Sequence, residues 1–244
     1  MAMNSGLYAA CAGLVAQSQA LDLAANNLAN VNTTGYKGQL PSFRSVLANA
    51  STPANSVARA VNDFGVLGGS RLNLAQGTLE RTASDLDFAL QGEGWFAVQT
   101  SSGRLYTRNG SFHVDTSGRL VTADGNPVLG AQGPVTVPAG KLSVSSDGTI
   151  SVDGALAGQI NVVTFAAGTE ITPSGGSYFS AGTAKEQPSA AQVVQGSLEN
   201  SNVDGISAAV GLVALQRRAE MLQQALTAFH SNFNRIAAQD LSRI

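Results

Sequence analysis

Histidine is the side chain most often used as a metal ligand or general base near neutral pH, and this 244-residue chain has only two. His113 lies in a predicted strand after an Asn-Gly turn, and His230 lies in a predicted C-terminal helix. Neither has a partner at ligand spacing, so the sequence predicts no metal site and no Ser-His-Asp triad. Several aspartates precede glycine by one to three positions, a pattern typical of turns rather than of acid–base pairs. They are Asp115, Asp124, Asp147 and Asp153.

A glycine-rich motif and an aromatic pair offer two other kinds of chemistry. Gly92-Glu93-Gly94 superficially resembles a phosphate-binding loop, but a strand pattern follows it where such a loop needs a helix N-terminus. Trp95 and Phe96 could form a platform for a sugar or a peptide, although a place in the core is the simpler interpretation. We therefore predict no catalytic residue, no cofactor and no small-molecule substrate, and we expect that the chain is not an enzyme.

The composition favours a protein whose surface is covered by neighbours. Charged residues make up 12% of the chain, against about 25% in ordinary domains. The net charge of -2 includes no basic block, so nucleic acid and anionic membranes are not expected partners. No basic residue precedes Lys37 and no run reaches the ~18 apolar residues of a membrane span. We expect neither a cleaved signal peptide nor direct membrane insertion, and Cys11 is expected to be a small core residue.

Two heptad ladders define the elements at the ends of the chain. Alternating spacings of four and three place each ladder along one stripe of a helix. The N-terminal ladder is Leu7, Cys11, Leu14, Ser18, Leu21, Ala25 and Leu28, and the C-terminal ladder is Leu212, Leu215, Ala219, Leu222, Leu226, Phe229, Phe233 and Ile236. We expect helices over about residues 4–31 and 204–240, paired as a coiled coil. Small residues on the other face of the first helix, among them Gly13 and Ala16, are either helix filler or a surface for close approach of a second helix from another subunit.

Between the ladders the sequence predicts a β-rich body. Short strands alternate with Asx-Gly and Ser-Gly turns, and Asn109-Gly110 is the strongest hairpin signal among them. This spacing predicts a small antiparallel barrel or sandwich, and therefore an α+β fold with a coiled coil at its ends. The expected segments are the N-terminal helix (1–35), an extended connector (36–81), the β-rich domain (82–180), a return connector (181–203) and the C-terminal helix (204–244).

Long stretches in order along the chain carry a family resemblance. They are AANNLAN at 24–30, NTTGYK at 32–37, GTLERT at 77–82, LDFAL at 86–90, GWFAV at 94–98, YTRNGSF at 106–112 and QGSLENSNV at 195–203. Together they resemble the axial proteins of the bacterial flagellar rod and hook. The resemblance implies a structural rod subunit, with terminal helices in the inner layer of a tube and the β-domain outside. It also implies assembly with other rod subunits and with copies of itself. Export by the flagellar type III apparatus, without a cleaved signal, would bring it to a basal-body rod spanning the periplasm.

The resemblance and the ladders together name candidate assembly residues. Asn26, Asn27 and Asn30 match positions where the family's first helix ends, and we expect them to contact adjacent subunits. The remaining candidates are Gly35, Tyr36, Leu198, Asn202 and Val203, with the ladder residues Leu7, Leu14, Leu21, Leu28, Leu212, Leu215, Leu222, Leu226, Phe229, Phe233 and Ile236. The length of the chain and its compact connector favour a proximal over a distal rod protein. A carbohydrate-binding or hydrolytic β-domain on a coiled-coil stalk is the alternative from another class.

Overall fold

The computed structural model describes residues 3–44 and 66–241, which contain two helices and nineteen strands. The helices are α1 (Met3–Ala29) and α2 (Gly205–Leu241). The strands are β1 (Gln39–Arg44), β2 (Val66–Leu72), β3 (Leu79–Arg81), β4 (Phe88–Gln91), β5 (Trp95–Thr100), β6 (Gly103–Thr107), β7 (Phe112–Val114), β8 (Leu120–Thr122), β9 (Leu129–Gly130), β10 (Gly133–Pro134), β11 (Leu142–Val144), β12 (Thr149–Val152), β13 (Ala155–Gln159), β14 (Val162–Thr164), β15 (Thr172–Pro173), β16 (Tyr178–Ser180), β17 (Gln187–Pro188), β18 (Gln192–Gln195) and β19 (Ser197–Glu199).

The first of two compact units contains both helices and the two-stranded sheet of β1 and β2. Alanine and leucine, which are strong helix formers, dominate α1, and it ends just before the short amide side chain of Asn30. Asp204 caps the start of α2, because its Oδ2 accepts hydrogen bonds from the Ser207 hydroxyl and, at 3.1 Å, from the Ser207 backbone N–H. These bonds lower the pKa of the Asp204 carboxyl. In the described ranges 3–44 and 66–241, neither helix is long and apolar enough to cross a membrane.

The predicted coiled coil of the two terminal helices is wrong. Of the N-terminal ladder, Ser18 is exposed and Leu21 is only half-buried, whereas a coiled-coil seam would bury the ladder as knobs in holes. Among the described side chains of α1, residues 13–29, the buried positions are instead Gly13, Ala16 and Ala20, on the small-residue face. Across the contact between the helices, Gln17 Nε2 donates a hydrogen bond to the Leu215 carbonyl oxygen at 3.1 Å. Small side chains let the two backbones approach closely enough for this bond, because helix separation follows the size of the residues at the contact.

Part of the ladder prediction falls where the structure gives no side chains. Leu7, Cys11, Leu226, Phe229, Phe233 and Ile236 lie outside the described side chains, as does His230. Residues 45–65 of the predicted connector also lie outside the described residues.

The second unit, Asn30–Gly38 with Leu72–Val203, is strand-rich and its sheets are open. The largest sheet has six strands in the order β15-β16-β6-β5-β14-β17, and β11-β12-β13 form a three-stranded sheet. The remaining pairs are β18-β4, β19-β3, β7-β8 and β10-β9. The β-rich body is therefore confirmed, but the predicted barrel or sandwich is wrong. Both edges of the large sheet are two-residue strands that contain proline, which cannot donate to a further ladder, so the sheet does not close.

The predicted Asn109-Gly110 hairpin is also wrong. Strand β6 pairs with β5 and β16, while β7 pairs with β8, so the chain changes sheets at this point. The Gly110 carbonyl accepts a hydrogen bond from Phe88 N at 3.0 Å, and a Cβ on Gly110 would lie only 2.7 Å from the Phe88 carbonyl carbon. Glycine is needed here for close backbone approach, which produces the same Asn-Gly signal as a tight turn.

Other Asx-Gly signals do mark hairpins. Asp147-Gly148 connects β11 to β12, and Asp153-Gly154 connects β12 to β13. At the second turn φ is 52° at Asp153 and 85° at Gly154, the positive values that a tight hairpin turn requires at both central positions. Local turn chemistry decides the register in these two hairpins.

Two apolar clusters form the core of the second unit. One contains Phe96 and Phe112, whose rings meet edge to face with centroids 5.3 Å apart. The other contains Trp95 and Phe179, with ring centroids 4.8 Å apart. Because Trp95 is 5% exposed and Phe96 is fully buried, the predicted core role of these aromatics is confirmed.

Candidate functional site

Four separated parts of the sequence meet at one buried carboxylate, that of Glu199. Glu199 Oε1 accepts hydrogen bonds from Lys37 Nζ at 2.6 Å and from the Gly77 backbone N–H at 2.9 Å. Glu199 Oε2 accepts one from Arg108 Nη1 at 2.9 Å. Glu199 is fully buried, and Lys37 and Arg108 are 1% and 4% exposed. We call Lys37, Arg108 and Glu199 the ion triad.

Strand pairing and one glycine place the carboxylate. Glu199 ends β19, which pairs antiparallel with β3 so that Glu199 lies opposite Leu79. Its backbone carbonyl accepts a hydrogen bond from Gly35 N at 2.7 Å. Gly35 has φ of 69°, and a Cβ there would lie 2.7 Å from the Asn109 Cα, so a larger residue would push the chain away. Gly35 therefore brings the residues before Lys37 against the body of the second unit.

Arg108 is held from three sides. Its Nη2 donates to the Gly92 carbonyl oxygen at 2.7 Å, in addition to the bond from Nη1 to Glu199. Its guanidinium carbon lies 5.5 Å from the centre of the Trp95 ring, within range of a cation–π interaction. Within the described residues, its Nε makes no hydrogen bond. Arg108 thus connects the carboxylate to the core.

Burial and charge oppose each other at Lys37. Burial lowers the pKa of the Lys37 ammonium, and the charge of Arg108 acts in the same direction. The hydrogen bond and the charge of Glu199 raise it again, but the net direction is downward. Removing one partner from a buried ion group of this kind destabilises a protein strongly, whereas the complete group contributes little net stability. The triad therefore specifies how these segments dock more than it stabilises the fold.

Two asparagines among the predicted assembly residues bind backbone within the chain. Asn27 Oδ1 accepts a hydrogen bond from Gln39 N at 2.8 Å, and its Nδ2 donates to the Gln39 carbonyl at 2.7 Å. Asn202 Oδ1 accepts from Gly38 N at 2.8 Å. Its Nδ2 donates to the carbonyls of Asn73 and Ala75 at 2.7 and 2.8 Å. Each amide imitates a peptide group, which explains why asparagine stands at these positions.

The other predicted assembly residues are divided between the two units. Tyr36 is buried, and Asn26 is exposed. Asn30 Oδ1 accepts a hydrogen bond from Thr33 Oγ1 at 3.1 Å. Half-buried positions are occupied by Leu14, Leu21, Leu28, Leu198, Val203, Leu212, Leu215 and Leu222. The structure gathers the motif residues Gly35, Tyr36 and Asn202 near the triad, and their contacts with adjacent subunits stay a prediction.

Sequence reasoning missed the ion triad itself. Lys37, Arg108 and Glu199 all lie within the stretches that carry the family resemblance, but none was selected as a site residue. The available signal was their charge, because only 12% of this chain is charged. Nothing in the spacing of the three indicates that they meet, since 71 residues separate the first two and 91 the last two.

The groups first considered for catalysis have structural roles or stand apart. Asp115 Oδ1 accepts backbone hydrogen bonds from Ser117 and Arg119 at 2.8 and 2.9 Å, and the bond from Arg119 is the main cause of its lowered pKa. Asp147 Oδ1 accepts one from Thr149 at 3.1 Å, which likewise lowers its pKa. His113 is exposed on β7. In residues 3–44 and 66–241, no three histidine, cysteine or acidic side chains cluster closely enough to hold a metal ion.

Comparison with known families matches both ends and the body of the chain. The family described as "Flagella basal body rod protein" matches residues 7–37. "Flagellar hook protein FlgE/F/G D1 domain" matches residues 89–152, and "Flagellar basal body rod FlgEFG protein C-terminal" matches residues 194–239. Lys37 and Arg108 fall within the first two regions and Glu199 within the third.

Individual relatives extend the match over most of the chain. The flagellar basal-body rod protein FlgF of Escherichia coli K12 is 32% identical over 96% of this chain and 97% of its own length. FlgF of Caulobacter vibrioides is 31% identical over 89% of this chain and 90% of that protein. FlgG of Agrobacterium fabrum is 31% identical over 91% of this chain and 94% of that protein. The chain belongs to the flagellar basal-body rod protein family.

Proposed function

We propose that this chain is the FlgF-type structural subunit of the flagellar basal-body rod, in the proximal part of the rod. The observation that carries the proposal is the match to the Escherichia coli FlgF, which covers 96% of this chain and 97% of that protein at 32% identity. Such coverage includes both helices and the strand-rich body, so the similarity is not confined to one module. Membership of a family of rod proteins implies assembly with other rod subunits.

A distal, FlgG-type subunit is the second candidate. The FlgG of Agrobacterium fabrum is 31% identical over 91% of this chain, nearly the same identity as the FlgF relatives. The greater coverage by the Escherichia coli FlgF, 96% of this chain, favours the first candidate. An enzyme or lectin on a coiled-coil stalk is not retained as a candidate, because the fold contradicts the predicted coiled coil. We propose that the chain has no catalytic role.

The surface of α2 supports assembly through the helical unit. Ile206, Val210 and Val213 recur at helical spacing on α2 and are 79%, 66% and 48% exposed. Apolar side chains exposed in a row are typical of protein–protein contact surfaces. We propose that the helices pack against neighbouring rod subunits, including copies of this chain, and that the assembled helices transmit torque. Two further points belong to the same proposal: the flagellar type III apparatus exports the chain, and the rod that contains it spans the periplasm.

Gene deletion with complementation tests the proposal. In the bacterium that encodes this chain, deletion is expected to abolish motility and to leave basal bodies without a complete rod. Leu222→Asp should not restore either, because Leu222 is half-buried on α2 and a charge there would cost several kcal/mol on burial in an interface. Gln223→Asp is the matched control, since Gln223 is the adjacent exposed residue on the same helix.

The two variants must be compared at equal abundance. Wild type and Gln223→Asp are expected to restore motility, and Leu222→Asp to be present but unincorporated, with the fluorescence of the buried Trp95 unchanged. Motile cells with complete rods after deletion would contradict the proposed function. Restoration by Leu222→Asp would contradict assembly through this part of α2.

A further inference from the structure

We infer that residues 30–38 are a strap that closes the strand-rich unit, with the Lys37 side chain as a buried latch on Glu199. The strap follows α1 and precedes β1, so the closing of the second unit depends on a segment outside its main run, Leu72–Val203. This inference concerns folding within one chain and does not rest on the proposed function.

The strap is bound on both sides by backbone and side-chain hydrogen bonds. Gly35 N donates to the Glu199 carbonyl at 2.7 Å, and Gly38 N donates to Asn202 Oδ1 at 2.8 Å. On the other side, Asn73 N donates to the Gly38 carbonyl at 2.7 Å. These bonds hold the strap between the chain that leads into β3 and the chain that follows β19.

Lys37 is the only charged residue of the strap, and its ammonium is buried, where a charge is costly. Its Nζ donates to Glu199 Oε1 at 2.6 Å and to the Ala75 carbonyl at 2.8 Å, with 1% of the residue exposed. Water favours the ammonium and opposes closure, while Glu199 favours closure. Burial is the main cause of the lowered pKa of Lys37, and it is the cost that closure imposes on this ammonium.

The triad allows the strap to open without unfolding the body. When Lys37 leaves, Glu199 Oε2 still accepts its hydrogen bond from Arg108, and Arg108 is still bonded to the Gly92 carbonyl. Glu199 also stays in the β19–β3 ladder, because that pairing does not involve the strap. After opening, the Glu199 carboxylate is therefore still paired with Arg108. Opening is a local event that leaves the rest of the unit folded.

Hydrogen exchange on the full-length chain tests the latch. In Lys37→Met, the amides of Gly35, Gly38 and Asn73 should exchange about tenfold or more faster than in the wild type, while amides of β12 change less than about twofold. Lys141→Met is the control, because Lys141 is exposed in the same unit and lies outside the strap. It should leave all of these rates unchanged.

A pair of glycine variants tests the same opening without altering charge. Gly35→Ala introduces a Cβ against the Asn109 backbone at φ of 69°, whereas Gly125→Ala has a similar φ of 79° and open space around its Cβ. Only Gly35→Ala is expected to accelerate exchange at Gly38 and Asn73. Wild-type protection of the strap in both Lys37→Met and Gly35→Ala, or acceleration spread evenly over the unit, would overturn the inference. Failure of both variants to fold would overturn it too, since the strap would then belong to the global fold.

Discussion

Replacing Glu199 by glutamine is expected to destabilise the strand-rich unit by about 3–5 kcal/mol, the usual cost of breaking a buried ion group by removing one partner. The carboxylate has two acceptor oxygens, one facing Lys37 Nζ at 2.6 Å and the other facing Arg108 Nη1 at 2.9 Å. A glutamine amide has one acceptor oxygen and one NH2 group, so at least one cation would face a donor. Lys37 and Arg108 are at most 4% exposed, and water cannot replace the lost acceptor without opening the site.

Glu186→Gln is the matched control on the surface. Glu186 accepts hydrogen bonds from Arg104 Nη1 at 2.8 and 2.9 Å and from the Tyr106 hydroxyl at 2.7 Å, but the side chains of Arg104 and Glu186 are 48% and 23% exposed. Exposed pairs contribute only about 0–1 kcal/mol, because water screens them and replaces the lost partner. The same chemical change is thus expected to cost several times more at Glu199 than at Glu186.

Urea unfolding followed by fluorescence gives the required numbers. Trp95 is the single tryptophan, is 5% exposed and lies beneath the Arg108 guanidinium, so its emission reports on the unit that contains the triad. The midpoint should fall strongly in Glu199→Gln with little change in the denaturant slope. Equal losses for the two substitutions, within about 0.5 kcal/mol, would refute the assignment of Glu199 as a buried ion partner.

Two further predictions concern the same region. Gly110→Ala should destabilise the chain by more than about 2 kcal/mol in urea unfolding, because its Cβ would meet the Phe88 backbone. Gly158→Ala, which has open space around its Cβ and no positive φ, should cost less, and a reversed order would contradict the close approach at Gly110. The pKa of Lys37 is lower in the folded chain than its ordinary value of 10.5. The unfolded chain therefore binds more protons than the folded chain at pH values between the folded pKa and 10.5. The stability difference between wild type and Lys37→Met should therefore favour the wild type most above pH 10.5 and should decrease as pH falls through the folded pKa. The opposite slope would contradict the dominance of burial and the Arg108 charge over Glu199.

Local chemistry explains which parts of the fold the sequence could predict. The hairpin turns at Asp147-Gly148 and Asp153-Gly154 depend on backbone angles that few residues adopt, and both are where they were expected. Asn109-Gly110 shows a similar Asx-Gly pattern for a different reason, because Gly110 meets a strand 22 positions earlier in the chain at Phe88. A distant contact of this kind leaves no trace in the local pattern.

The helices and the ion triad show a second limit. Leucine spacing indicated helices at both ends, and α1 and α2 are present, but the spacing could not reveal that small residues are the buried ones within residues 13–29 of α1. Burial depends on which surface is offered by the neighbouring element, and helix period alone carries no information about it. The triad is a juxtaposition of single charges from three motifs, so only the tertiary fold identifies it.

A cryo-EM reconstruction of basal bodies, isolated from the bacterium that encodes this chain, tests the central claim most directly. The account predicts rod subunits whose density follows this chain, with strap residues 30–38 seated and continuous density joining Lys37 to Glu199. A complete rod in which no subunit fits this sequence would contradict it.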